Sequence, residues 1–307
     1  MRIAAVVVAL TLLAPISALA QQRGIGGDPA QPTGVRRAVI IGVSKYPAFP
    51  ANKQLEYASA DAKAFYDFLK SAGGGSVPLE NMRLLIDEQA TSANIVYALV
   101  WLRLKSQSGD DVIIYFAGHG DAEAMTGEEG GYLLASDVMP TIYGAGRGAI
   151  NIDYLAKFLR DIVVKGAAPL LIVDVSRSGK LVGDSMGAER TTAALLQAWD
   201  KVAKIVSSSP EQVSFEGKQW GGGHGAFTYF LILGLQGLAD SDADGRITMM
   251  ELTRFIDEHV DKETGGRQTP QSNGDMRRLM ARVDTSTKRA AQSAMASRQP
   301  SPVPIQR

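Results

Sequence analysis

The 307-residue sequence contains no cysteine and only three histidines, and these shortages exclude several kinds of site. Without thiols the chain has no disulfide bonds and no thiolate nucleophile, although serine remains available. Three histidines without cysteine partners give no pattern typical of a zinc site. Basic and acidic side chains are equal in number, 32 of each, so the net charge gives no reason to expect nucleic acid as a partner.

Long apolar runs are also missing beyond the first twenty residues. Those twenty begin with Arg2, continue with an apolar stretch and end in a small-residue cleavage pattern. We therefore expect residues 1–20 to be a secretory signal peptide, with no membrane span after its removal and a periplasmic or secreted location. Residues 21–35, rich in Gly, Pro and Gln, predict a flexible linker, and residues 285–307 predict a disordered tail.

The remaining residues, 36–284, alternate strand-length apolar runs with helix-like segments. The predicted strands are Ala38–Ile41, Met82–Ile86, Val112–Phe116, Leu170–Val173 and, more weakly, Val202–Val206. The predicted helices include 58–69, 93–104 and 152–162. This alternation predicts βαβ units in one α/β domain. Because the runs are almost continuously apolar, helices should cover both faces of a mostly parallel sheet.

A histidine and a serine each follow one of these buried strands. His119 stands in a Gly-His-Gly turn after the third strand, and Ser176 follows the fourth strand, 57 residues later. That spacing suits one crossover between neighbouring parallel strands. We therefore expect both residues at the carboxyl edge of the sheet, where open α/β folds place their active sites.

Other short motifs accompany this pair in a fixed order. They are Ala58, Ala60, Asp61 and Ala62 in the first helix, Gly131–Asp137 (GYLLASD), Ser207–Gln212 (SSSPEQ) and Gly223–Thr228 (GHGAFT). Together with the Gly-His-Gly turn they resemble the caspase-domain family of the bacterial metacaspase type, peptidase C14. The resemblance implies a caspase-like (caspase-hemoglobinase) three-layer sandwich. It also implies that His119 and residue 176 are the catalytic positions, with Ser176 where the family has its cysteine.

A serine in a site shaped for a thiolate predicts impaired catalysis. A hydroxyl must lose its proton to a well-aligned base during attack, whereas a thiol is already partly ionised near neutrality. Our first hypothesis is a pseudopeptidase that binds basic peptide segments in its former cleft. The alternative is an active endopeptidase that uses Ser176 and His119 and cleaves after Arg or Lys. That alternative needs a carboxylate such as Asp110, Asp111 or Asp121, or a carbonyl, to orient the histidine.

The resemblance also implies an acidic pocket for Arg or Lys side chains. Asp174, two residues before Ser176, would help to form it, and Asp137 would contribute from the GYLLASD segment. Capping of the strand-to-helix turn is an equally weighted interpretation of Asp174. A nucleophile elbow of the α/β-hydrolase type fits less well, because Asp174 stands where the elbow needs glycine and the base would have to be His224 or His259.

One motif outside this pattern has the spacing of a calcium-binding loop. Residues 240–251 match the twelve-position EF-hand pattern, with Gly245 at position six and Glu at position twelve. The candidate ligands are Asp240, Asp242, Asp244, Arg246 through its carbonyl, Thr248 and Glu251. Since three aspartates in five residues repel one another unless a cation neutralises them, we expect Ca²⁺ here, in a structural or interaction module compatible with the first hypothesis.

Overall fold

The computed structural model describes residues 33–122, 131–139, 148–177, 187–197, 199, 201–298 and 305–306. The predicted signal peptide and the predicted linker up to residue 32 lie outside these ranges. For Ser176 and Arg177, at the end of a strand, the backbone alone is described. The backbone of Ser176 can therefore be placed relative to the rest of the site.

Strands and helices alternate through most of the described chain. The strands are β1 Arg36–Gly42, β2 Met82–Ile86, β3 Asp111–Ala122, β4 Gly131–Leu134, β5 Ala149–Asn151, β6 Ala168–Arg177, β7 Ala203–Val206, β8 Phe215–Gly217, β9 His224–Gly225, β10 Arg246–Thr248, β11 Gln271–Asn273, β12 Leu279–Arg282 and β13 Ile305–Gln306. The helices of eight or more residues are α1 Ala58–Lys70, α2 Ser92–Lys105, α3 Ile152–Val164, α4 Gly187–Leu196, α5 Ala226–Leu233, α6 Met249–Thr264 and α7 Thr285–Ala296.

A mostly parallel sheet forms the centre of the molecule. Its main path runs β11-β7-β6-β3-β1-β2, and β4 and β5 extend it from the end of β3. All neighbours from β7 to β2 are parallel, whereas β11, β4 and β5 are antiparallel to their partners. Helices α1, α5 and α6 form one chain of contacts and α2, α3 and α4 another. The predicted α/β class and parallel sheet are confirmed.

The core follows from the apolar runs that predicted the strands. Residues 112–117 of β3 and 170–173 of β6 are all buried, which matches continuous apolar sequence in a sheet covered on both faces. The strands extend further than predicted, however, because β3 and β6 continue through the two candidate catalytic positions. None of the helices in the described part of the chain has both the length and the apolarity needed to cross a membrane.

The predicted disordered tail is wrong for its first part. Residues 285–296 form α7, which Asp284 caps by accepting a hydrogen bond from the Thr287 amide. Ala291 of this helix is buried, and Ala294 and Met295 pack against the core. Their spacing of three to four residues places them on one helical face. The Ser- and Gln-rich composition concealed a weakly amphipathic helix.

Candidate functional site

The two candidate catalytic positions lie opposite each other in the central sheet. In the parallel register of β3 and β6, His119 pairs with Ser176 and Ala117 pairs with Asp174. The sequence analysis placed both residues just beyond their strands; instead they lie inside the extended carboxyl ends. Since strand partners lie about 5 Å apart, the backbone brings histidine and serine together.

The His119 ring is held by a backbone carbonyl. Its Nε2 lies 2.8 Å from the Lys53 carbonyl oxygen, and its ring centroid lies 4.8 Å from that of Tyr46. Because a carbonyl oxygen can only accept a hydrogen bond, Nε2 must carry the ring proton, which makes Nδ1 the basic nitrogen. His119 is 2% exposed, so this orientation is fixed by packing as well as by the hydrogen bond.

The glycines on both sides of His119 allow close packing at this point. A Cβ on Gly118 would lie 2.8 Å from the Tyr46 hydroxyl oxygen, and one on Gly120 would lie 2.6 Å from Cγ1 of Val175. That Tyr46 hydroxyl accepts a hydrogen bond from the His119 amide at 2.8 Å. The Gly-His-Gly motif is thus required sterically, since larger residues would push away the groups that position the histidine.

Asp174 is fully buried and takes part in an internal hydrogen-bond chain. Its Oδ2 accepts from the Thr228 hydroxyl at 2.8 Å, and Thr228 Oγ1 lies 2.6 Å from the Tyr115 hydroxyl. All three residues have no exposed surface. These contacts join β6 to α5 and β3 at a position two residues before Ser176. The predicted role of Asp174 in binding basic side chains therefore stays a prediction.

The other predicted carboxylates occupy different places. Asp137 accepts hydrogen bonds from the Ser92 amide at 2.7 Å and the Ser92 hydroxyl at 3.0 Å, at the start of α2. Asp110 and Asp111 precede and begin β3, roughly 26 Å along the strand from His119, and they pair with arginines there. Of the three acids suggested for a triad, Asp121 alone lies at the correct end of β3.

An aspartate–histidine pair lies in α1 and β9, and the sequence analysis did not predict it. Asp61, fully buried, accepts from Nδ1 of His224 at 2.8 Å and from the Gly225 amide at 3.1 Å. His224 is therefore anchored to the first helix. His259 is half-buried, donates a hydrogen bond from Nδ1 to the Phe255 carbonyl at 2.9 Å and stacks on the Phe255 ring. No local sequence signal joins residues 61 and 224.

The loop that holds His119 also holds β8. The carboxylate of Glu216 accepts hydrogen bonds from the amides of Glu56 at 3.0 Å and Tyr57 at 3.1 Å, a few residues after Lys53. Ser214, just before β8, donates to the carbonyl of Val175 at 2.9 Å. One short strand is thus tied both to the histidine loop and to the residue before Ser176.

The acidic loop has the geometry of a compact cation site. Ligand oxygens of Asp240, Asp242 and Asp244 all lie within 4.8 Å of one another. Gly245 has φ +79°, which suits the sharp turn at position six. The strand β10 that follows pairs antiparallel with β12, so the loop is supported from within the described chain.

Two features of this loop bear on metal binding. Asp240 is 3% exposed at its side chain; its Oδ2 lies 3.3 Å from the Lys288 ammonium, and its buried Oδ1 has no hydrogen-bond partner in the described chain. Glu251 forms a capping box with Thr248 and also accepts from Ser241. Burial would raise the pKa of Glu251, but the hydrogen bonds from Thr248 and Ser241 outweigh it and lower the pKa below its usual value.

Comparisons with known proteins agree with this geometry. The family model of the caspase domain, Peptidase_C14, matches residues 35–280. Metacaspase-1 of Eremothecium gossypii is 32% identical over 114 residues, which cover 35% of this chain and 24% of that protein. Metacaspase-1 of Plasmodium falciparum is 27% identical over 159 residues, or 49% of this chain and 25% of the relative.

Two further matches cover more of the chain at lower identity. A probable protease of a Desulfuromonadales bacterium is 24% identical over 251 residues, 73% of this chain and 29% of the relative. The crystal structure of a Geobacter sulfurreducens protein has a TM-score of 0.53 and 17% identity, covering 83% of this chain and 96% of the other, and shows the fold alone. The matched regions thus span about a quarter of the length of these curated relatives.

Proposed function

The chain belongs to the caspase-domain family, and we propose that it is a pseudopeptidase that binds peptide segments with basic residues in its former cleft. The observation that carries the proposal is Ser176 at the nucleophile position, beside a histidine whose Nε2 is held by the Lys53 carbonyl. A neutral carbonyl fixes the ring and its tautomer. It contributes no negative charge to stabilise the imidazolium that forms when a hydroxyl is deprotonated.

The expected loss of activity is large. In a serine triad, replacing the orienting aspartate with asparagine lowers kcat by about 10⁴-fold because the histidine takes the wrong tautomer, so that figure is an upper limit for a histidine whose tautomer a carbonyl fixes. A thiolate depends much less on that acid, because it needs little proton transfer in the attack step. A carbonyl-oriented histidine therefore suits cysteine better than serine, and we expect little peptidase activity with Ser176. Such a site retains the shape of the family's cleft without its chemistry.

Preference for basic residues is supported by the charge of the surroundings. Asp61, Asp174 and Glu216 are buried carboxylates on the elements that surround the His119–Ser176 edge. Negative charge around a cleft attracts guanidinium and ammonium groups, so these carboxylates favour a basic ligand through the field that they create. Asp137 supports this preference less directly, since Ser92 already uses both of its carboxylate oxygens.

The test compares three proteins on one substrate panel. Fluorogenic peptides with Arg, Lys or Asp before the scissile bond are incubated with wild type, Ser176→Ala and Ser176→Cys, each with calcium and with chelator. We expect no cleavage by wild type and Arg/Lys-directed cleavage by Ser176→Cys. His119→Ala in the Ser176→Cys background is the matched control and should abolish the gained activity.

The alternative outcome identifies an active enzyme. Cleavage by wild type that disappears in Ser176→Ala would mean a serine-variant endopeptidase, with Asp121 the first residue to test as its orienting acid. Failure of Ser176→Cys to cleave, together with no binding of basic peptides to wild type, would refute the pseudopeptidase proposal.

A second function, calcium binding, is proposed for the loop 240–251. Its support is the convergence of three aspartates and the buried Oδ1 of Asp240, which has no hydrogen-bond partner among the described residues. Asp240, Asp242, Asp244 and the Arg246 carbonyl would supply oxygens, and Glu251 would join them by leaving its contacts with Thr248 and Ser241. We also propose a periplasmic or secreted location, which cell fractionation tests. A compartment that supplies millimolar calcium would fill even a weak site.

Terbium luminescence and calorimetry test the loop. We expect saturable Ca²⁺ binding in wild type and its loss in Asp242→Asn/Asp244→Asn, with unchanged unfolding in chelator. Asp257→Asn/Asp275→Asn, outside the loop, is the charge-matched control and should bind normally. Equal binding by both double variants would locate the metal elsewhere.

A further inference from the structure

The short strand β8 pairs along both of its edges. On one side Glu216 and Gly217 pair with Gly225 and His224 of β9. On the other side Ile305 and Gln306, which form β13, pair antiparallel with Glu216 and Phe215. The segment 305–306 lies 88 or more residues further along the chain than β8, so this pairing is a tertiary contact and not a hairpin.

The edge that β13 covers lies beside the candidate site. Ser214 Oγ, at the start of β8, is 2.9 Å from the carbonyl of Val175, the residue before Ser176. Glu216 is bonded to the amides of Glu56 and Tyr57, in the loop that positions His119. A strand paired with β8 is therefore attached to an element that contacts the elements carrying His119 and Ser176. An extended peptide entering the cleft would use the same backbone groups.

We propose that residues 305–306 are a tethered strand that occupies the peptide-binding edge of β8, so that an external peptide must displace it. The proposal rests on the proposed function in one respect, namely that this edge receives peptide ligands. It adds that the chain regulates its own cleft by strand pairing.

The hydrogen bonds of neighbouring residues indicate which backbone groups face β13. The Phe215 amide donates to the Gln268 side chain at 2.9 Å, and the Gly225 amide donates to Asp61 at 3.1 Å. Backbone groups point to alternate sides along a strand, so those of Glu216 are the ones directed at β13. Ile305, opposite Glu216, thus forms the hydrogen-bonded pair and supplies an N–H donor.

The connection to the rest of the protein favours docking in cis. Arg298 forms an ion pair with Glu263 and lies over the Phe230 ring, which anchors the chain seven residues before Ile305. Three of the residues between them, 300, 302 and 304, are proline, which restricts the free chain and lowers the entropy cost of docking. A short tether gives an effective concentration of about a millimolar.

The absence of native cysteine allows a direct test in the full chain. A nitroxide on Gln306→Cys should broaden the amide signals of Phe215, Glu216 and Gly217. The same label should not broaden these signals when it is combined with Ile305→Pro, which removes the backbone N–H donor of residue 305. Combined with Ile305→Val, which keeps that donor, the label should still broaden them. Absence of broadening in the Val variant, or its persistence in the Pro variant, would overturn the strand pairing.

A binding experiment tests the competition separately. The labelled nonapeptide QPSPVPIQR, residues 299–307, is titrated into the unlabelled Ile305→Pro and Ile305→Val proteins. We expect binding about threefold or more tighter to the Pro variant, because its edge is uncovered for a larger fraction of time. Equal affinity would overturn the competition. If basic peptides bind neither protein, the proposed function fails, while the nitroxide experiment still decides the pairing.

Discussion

Replacing Thr228 with valine should destabilise the fold by about 3 kcal/mol, because it removes a hydrogen bond from a buried carboxylate. The Thr228 hydroxyl donates to Asp174 at 2.8 Å. Since that hydroxyl has a single hydrogen, the Tyr115 hydroxyl, 2.6 Å away, must donate to Thr228 in turn. Valine has nearly the same shape as threonine but neither donates nor accepts, so the substitution breaks both bonds at once.

The magnitude follows from burial. Asp174, Thr228 and Tyr115 have no exposed surface, so water cannot replace the lost partners. A hydrogen bond to a charged group contributes about 1.5–3 kcal/mol, and the neutral bond from Tyr115 contributes about 0.5–1.5 kcal/mol. The two similar side-chain volumes leave little cavity, so no packing loss is added. The sum is about 2–4.5 kcal/mol.

Urea unfolding followed by tryptophan fluorescence measures this loss. Thr228→Ser keeps the hydroxyl and should cost only about 1 kcal/mol for one buried methyl group. Asp174→Asn in the Thr228→Val background should recover part of the loss, since an amide is less costly to leave unpaired than a carboxylate. If Thr228→Val is no less stable than Thr228→Ser, the stability of the fold does not depend on the hydrogen bond from Thr228 to Asp174, and the reasoning is refuted.

Two further changes test other parts of the molecule. Lys288→Met should tighten Ca²⁺ binding about fivefold, because the Lys288 ammonium, 3.3 Å from Asp240, competes with the cation and a partly exposed ion pair contributes about 1 kcal/mol. Arg289→Met is the control. Unchanged Ca²⁺ affinity in Lys288→Met would contradict the competition. Burial lowers the pKa of Lys204 to about 8. Between pH 8 and about pH 10.5 the unfolded chain binds more protons at Lys204 than the folded protein does. Over this range the unfolding free energy of wild type should therefore rise by about 3 kcal/mol relative to that of Lys204→Met. A constant difference between the two proteins would contradict the lowered pKa.

Sequence patterns predicted the central sheet because strands that are buried on both faces consist mostly of apolar residues. The predicted runs in β1, β3 and β6 are apolar throughout, the run in β2 contains Arg83, and the spacing of His119 and Ser176 suited adjacent parallel strands. Their exact placement differed because polar and small residues at the ends of β3 and β6 remain in the ladder. Where a strand extends beyond the apolar core and still pairs with its neighbour, its residues show no hydrophobic pattern from which the pairing could be predicted.

The contacts that orient the site had weaker signals or none. A backbone carbonyl such as that of Lys53 is present at every residue, so residue type cannot identify it as the partner of His119. The pairing of Asp61 with His224 joins residues 163 positions apart. By contrast, helix α7 had a usable signal, the spacing of its Ala and Met residues, which the polar composition concealed.

One loop both orients His119 and supports β8, the proposed peptide-binding strand. The orientation of His119 therefore cannot show whether the protein cleaves peptides. The Lys53 carbonyl fixes the His119 ring, and the amides of Glu56 and Tyr57 hold Glu216 of β8. A chain that needs β8 for binding must keep this loop in place, and the loop in turn keeps His119 oriented. The geometry of His119 is therefore the same whether the protein cleaves peptides or only binds them. The side chain at position 176 decides between the two functions, which is why the Ser176→Cys comparison discriminates where the histidine cannot.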